Sequence, residues 1–124
     1  MDYRGKVHLT FVFKTDPINV AEGDRLFASH NEWMARTHHR EGETALLTYN
    51  VSKGEDPSNP LDPNSTPTGK TVYVLDEIYE SRAGIGDHWQ QAMSGWDDFQ
   101  DFVAWAGKSE CSAQHAGTLI NSLW

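Results

Sequence analysis

The sequence predicts an α+β domain, with four β-strands in one antiparallel sheet and two helices laid on one face of it. Three observations predict it. Apolar residues alternate over 7–14, 45–53 and 70–81; they recur at three and four along 24–38 and 83–107; and a last strand-like segment closes the chain. The order strand, helix, strand, strand, helix, strand is the split βαβ plan of ferredoxin-like domains. Right-handed crossovers then put the first and third strands at the centre. The 124 residues are read as one domain, 1–124.

In VHLTFVFK (7–14), Val7, Leu9, Phe11 and Phe13 point one way. His8, Thr10, Val12 and Lys14 point the other. Asp16-Pro17 ends this strand and can start a helix, with Asp as cap and Pro at the first position. From Asp24 to His38 an amphipathic helix carries Leu26, Phe27, His30, Trp33 and Met34 on its apolar stripe. Gly42 is a stop signal. The second strand is ALLTYNVSK (45–53). Four prolines make 54–69 a long loop without regular structure. In the third strand, KTVYVLDEIYES (70–81), Val72, Val74, Asp76 and Ile78 share one face. Tyr73, Leu75, Glu77 and Tyr79 share the other. A second helical region follows at 83–107, with Ser94-Gly95 able to kink or split it. The final strand is expected within HAGTLINSLW.

The charge balance, 18 acids against 10 bases for a net −8, argues against nucleic acid and anionic membrane surfaces. No run approaches the roughly 18 apolar residues of a membrane span. The first residues lead straight into a strand, so no signal peptide is expected. Cys111 is the only cysteine, so no intrachain disulfide can form, and a cytoplasmic setting is expected. The helix-free face of the sheet is apolar on at least one side of each strand. A bare face of that kind predicts a homodimer, sheet against sheet.

The chemistry-bearing residues lie around the third strand and both helices. His88 and Trp89 open the second helix; a neutral imidazole can take a proton and an indole can stack on a planar ligand. One of Asp76 and Glu77 must be covered whichever face meets the helices. A covered carboxylate pairs, or stays protonated and becomes a base near neutrality. His30, Trp33 and His38 line the first helix and can face the same space as His88. No spacing such as HExxH is present, so neither a metal nor a cofactor is expected. A mostly apolar pocket with a few polar groups fits better.

The stretch VLDEIYESRAGIGDHWQQA (74–92) resembles the antibiotic-biosynthesis-monooxygenase-like branch of the dimeric α/β-barrel superfamily. The shared features are Glu77-x-Tyr79 at the strand end and a His in the first turns of the next helix, here His88. The resemblance implies a ferredoxin-like homodimer with a ligand cavity between sheet and helices. It implies cofactor-independent oxygenation of phenolic or quinone-like compounds as one activity, with haem-degrading and non-catalytic members beside it. The haem-degrading set begins with an Asn on the first strand, which VHLTFVFK lacks. The expectation is a dimer binding a small apolar or aromatic molecule. Its proton is abstracted by His88 or Glu77, and His30, Trp33, Tyr79 and Trp89 hold the ring. Two alternatives remain: a non-catalytic ligand-binding or assembly module with structural histidines, and a haem- or metal-using relative.

Overall fold

A computed structural model describes residues 2–124. Strand β1 (Val7–Thr15) is followed by a single 3-10 turn, Pro17–Asn19, that runs into helix α1 (Val20–Thr37). Strands β2 (Leu46–Pro57) and β3 (Pro67–Tyr79) form a hairpin. Helices α2 (Arg82–Gly95) and α3 (Phe99–Gly107) lead to strand β4 (Glu110–Thr118). The sheet order is β2-β3-β1-β4, antiparallel throughout, with β1 and β3 central as the crossover rule requires. This is the ferredoxin-like α+β fold.

Two expectations need correction, and the second helical region splits where Ser94-Gly95 allows. The segment 54–69 is loop only at its centre: β2 runs to Pro57 and β3 starts at Pro67, leaving 58–66 as the turn. Prolines are compatible with it because β2 is an edge strand and Pro57 pairs with Pro67 at the hairpin's end. Asn59 and Asp62 spend their side-chain oxygens on local backbone N–H groups, of Leu61 and Asn64, which is turn chemistry rather than cation binding. The second helical region is two helices, making three in all; the chain breaks after Gly95 so that Trp96 can leave the helical path and be buried. The last strand starts earlier than HAGTLINSLW and shares only HAGT with it. It takes the polar, exposed ECSAQHAGT, which an edge strand tolerates, while Ile120, Leu123 and Trp124 lie beyond it, exposed.

All helices cover one face. Leu9, Phe13, Tyr73, Leu75, Glu77 and Tyr79 are buried beneath them. Glu77 is thus the covered acid, and Asp76 on the outer face pairs with His8 of β1. The apolar side chains divide into two clusters. One gathers Phe13, Leu26, Phe27, Tyr73, Leu75 and Trp105. There α1 approaches so closely that a Cβ on Gly23 would lie 2.7 Å from Trp105 Cζ2. The other gathers Leu9, Trp33, Met34, Leu46, Tyr79, Ile85 and Trp96, and it surrounds the polar groups described next.

A β-bulge fixes which β2 residues join them. Leu46 pairs with Tyr79, but Thr48 pairs with Ile78, so Leu47 is an extra residue. Strict alternation from Leu46 would point Thr48 inward. The extra residue instead brings both Leu46 and Tyr49 to the helix side, with Tyr49 opposite Glu77.

Candidate functional site

Three elements each send one polar side chain into the same buried space. Period two along β3 puts Glu77 and Tyr79 on the covered face, and the Tyr79 hydroxyl donates to Glu77 Oε1 at 2.6 Å. Helix α1 supplies His30 and α2 supplies His88, both buried, with ring centres 5.8 Å apart. Glu77 is 0% exposed, and its second oxygen, Oε2, has no hydrogen-bond partner among the described residues. One donor atom from each of His30, Glu77 and His88 lies within 4.8 Å of the other two.

The outer nitrogens of both rings are already engaged. His30 Nδ1 lies 2.7 Å from the Tyr49 hydroxyl. His88 Nδ1 lies 2.9 Å from His38 Nε2. The proton positions of the second chain follow from its end. Thr37 Oγ1 donates its one proton to the Trp33 carbonyl at 2.7 Å, so it accepts from His38 Nδ1 at 2.9 Å. His38 Nε2 then carries a lone pair and accepts from His88 Nδ1–H. His88 is left with an unprotonated Nε2 and no partner at that atom. Its position is set by neighbours on the far side of the ring, as in a ligand or a base held for use.

Burial disfavours charge throughout the cluster. It pushes the Glu77 carboxyl up to about 7, although the Tyr79 hydrogen bond opposes the shift and nearby Asp76 adds to it. Burial likewise holds His30 down to about 3, with the nearby His38 adding a smaller push. His88 is driven down to about 2 by burial first and by the neighbouring histidines second. His38, only half-buried, is lowered for the same reason. The Tyr49 and Tyr79 hydroxyls are pushed upward by burial and by Glu77, so both stay protonated donors.

A small cavity of about 20 Å³ is lined by Phe11, His30, His88, Trp89, Trp96 and Phe102 among others. That is room for a single water-sized occupant. Of the residues expected to hold a ring, His30 and Trp89 line this cavity. Trp33 and Tyr79 are packed in the core instead; Trp33 stacks on Trp96 at 5.7 Å. The ligand-sized space lies elsewhere. An open groove of about 460 Å³ runs between α1 and β2, lined by Asn31, Met34, His38, Arg40, Leu47 and Tyr49 among others. Its wall therefore includes the two side chains that hydrogen-bond the buried histidines.

Tyr49 is the site residue that sequence reasoning missed. The bulge that turns it inward leaves no trace in alternation. His38 stood on the helix stripe, but its role behind His88 depends on how α1 and α2 pack.

Fold and site together define a ferredoxin-like α+β domain with a histidine–carboxylate cluster between helices and sheet. Among solved structures it is similar to a "putative antibiotic biosynthesis monooxygenase" from Deinococcus radiodurans, with a TM-score of 0.53 and 20% identity over 95% of this chain and 99% of that one. The likeness is one of fold, and it is the branch that the 74–92 stretch resembles. No protein-family model and no curated sequence matches the chain. Among the described residues, no helix is long and apolar enough to cross a membrane.

Proposed function

We propose that this chain is a monooxygenase-like enzyme that binds a small aromatic or quinone-like molecule and withdraws a proton from it. The observation that carries this reading is His88, which lines an aromatic-walled cavity, carries an unprotonated Nε2 and stands with its Nδ1 4.0 Å from Glu77 Oε1. His88, held near 2 by burial, cannot keep a proton at physiological pH; the lasting acceptor is the Glu77 carboxyl, poised near 7, to which the imidazole passes it. The Glu77 oxygen and His88 Nδ1 are 4.0 Å apart, so charge formed on the ring is countered at short range. Trp89 and Phe11 supply flat walls for the ring, and oxygen adds to the resulting substrate carbanion. Trp89, half-buried, must swing outward to admit a ring, because the cavity as it stands holds only about 20 Å³.

The test is oxygen uptake with a panel of hydroquinones and anthrone-like phenols, with naphthoquinone binding read by tryptophan quenching. Uptake that is lost in His88→Gln, with quenching retained and the circular dichroism unchanged, is expected. No uptake above the blank across the panel refutes the reaction.

A second reading is favoured by the groove, whose 460 Å³ lies in the range of small-molecule sites. On that reading the protein binds its ligand beside Met34, Leu47 and Arg40 and performs no chemistry. Quenching abolished by Leu47→Arg but untouched by His88→Gln, without oxygen uptake, identifies it.

The assembly we propose is a two-fold dimer through the outer sheet face. Val12, Val72, Val74 and Ile78 form its half-buried aliphatic centre. On this reading Trp124, which is exposed in the single chain, docks on the mate. Sedimentation at the mass of one chain down to high protein concentration refutes it. The free Cys111 fits a reducing compartment, and we propose the cytoplasm.

A further inference from the structure

We propose that His30, Glu77 and His88 form a binding site for one divalent first-row transition-metal ion. Two imidazoles and a carboxylate from three different elements converge here, with donor atoms within 4.8 Å of one another and all three residues buried. Two nitrogens and one oxygen are the donor set of zinc or ferrous ions; magnesium and calcium select oxygen. An ion with bonds of about 2.1 Å draws tetrahedral ligands to roughly 3.4 Å apart, so the side chains need close by only about an ångström.

Three further features fit a ligand set better than a packed polar cluster. Glu77 Oε2 is fully buried with no partner, an arrangement that costs stability unless something binds there. Hydrogen bonds at Nδ1, to Tyr49 and to His38, set the ring orientations, as outer partners of metal-bound histidines do, and Nε2 of both rings is left without a hydrogen bond among the described residues. With its proton on Nδ1, His88 keeps a lone pair on Nε2. The adjoining cavity of about 20 Å³, lined by both histidines, holds one further ligand, so the coordination shell keeps an open position.

The site was invisible to spacing motifs because its ligands sit on α1, β3 and α2, far apart in the chain. With an ion bound, Glu77 and His88 serve as ligands rather than bases. Such an ion would supply Lewis-acid polarisation of a hydroxyl in the open position. The inference stands on coordination geometry and not on the proposed reaction, which the oxygen-uptake assay reads separately.

The experiment uses the full chain, stripped with chelator and dialysed. Zinc chloride is titrated by calorimetry, and cobalt(II) by visible absorption. One zinc per chain is expected, with cobalt bands several-fold stronger than those of the aqua ion. Glu77→Gln and His30→Gln should each weaken zinc binding by more than about 100-fold, while His115→Ala, on the exposed edge strand, leaves it unchanged. Glu77→Gln is nearly isosteric and keeps an acceptor for the Tyr79 hydroxyl, and circular dichroism checks its fold. A cobalt spectrum no stronger than the aqua ion, or zinc affinity equal to wild type in both ligand variants, overturns the proposal.

Discussion

Replacing Glu77 by Gln should change how stability depends on pH in one direction only. The carboxyl's ordinary value is 4.5, and burial pushes it to about 7 in the folded chain. Between these values the folded protein holds a proton that the unfolded chain has released. The protonated group favours the fold below pH 4.5, and that contribution is lost as pH rises through 7. At about 1.4 kcal/mol per tenfold change in proton activity, the loss amounts to about 3 kcal/mol. Gln cannot titrate, keeps an oxygen for the Tyr79 hydroxyl, and offers its amide to the free imidazole nitrogens. The assay is urea unfolding followed by tryptophan fluorescence, in chelator, at half-unit steps from pH 4.5 to 8. The stability of Glu77→Gln relative to wild type should climb by about 3 kcal/mol across that range and level off above pH 7. A difference constant with pH refutes the reasoning, because it means that Glu77 ionises as it does in water.

Three other expectations follow from the same cluster and its supports. His30 and His88 are held neutral far below their ordinary 6.5, so the stability they contribute is present above pH 6.5 and drains away as pH falls towards 3. Thermal melting should show this decline, and it should be steeper in Glu77→Gln, which lacks the opposing proton uptake. Tyr49→Phe strips His30 Nδ1 of its partner at 2.7 Å; unfolding free energy should fall by about 1–3 kcal/mol and zinc affinity by roughly 10-fold. In Gly84→Ala the new Cβ would meet Tyr79 Cδ1 at 2.7 Å and the Thr44 carbonyl oxygen at 3.0 Å. A cost of about 1–3 kcal/mol in urea unfolding is expected, and a melting temperature equal to wild type would show that α2 can slide away from β3.

Much of this architecture can be read before any coordinates. Alternation in 7–14 and 70–81 marks the two central strands because each has one covered face, and the same period puts Glu77 and Tyr79 side by side. The helix stripe from Leu26 to Met34 locates His30 in the same way. Where burial does not shape composition, the reading fails. β4 is an edge strand with a polar, exposed sequence, so the apolar tail behind it drew the assignment instead. The prolines at 57 and 67 look like loop residues, yet they terminate the two arms of a hairpin. The convergence of His30, Glu77 and His88 depends on how α1 and α2 settle on the sheet, which no local pattern encodes.

The bulge at Leu47 lets β2 carry one residue more than the stretch of β3 it pairs with, without turning Tyr49 away from His30. A chain that lacked Leu47 would pair as a regular strand, with Leu46 still opposite Tyr79, Thr48 opposite Ile78 and Tyr49 opposite Glu77. A one-residue gap at this point in related sequences is therefore compatible with the same cluster. A strand of this length that ran straight through would instead turn Tyr49 outward and offer His30 a threonine.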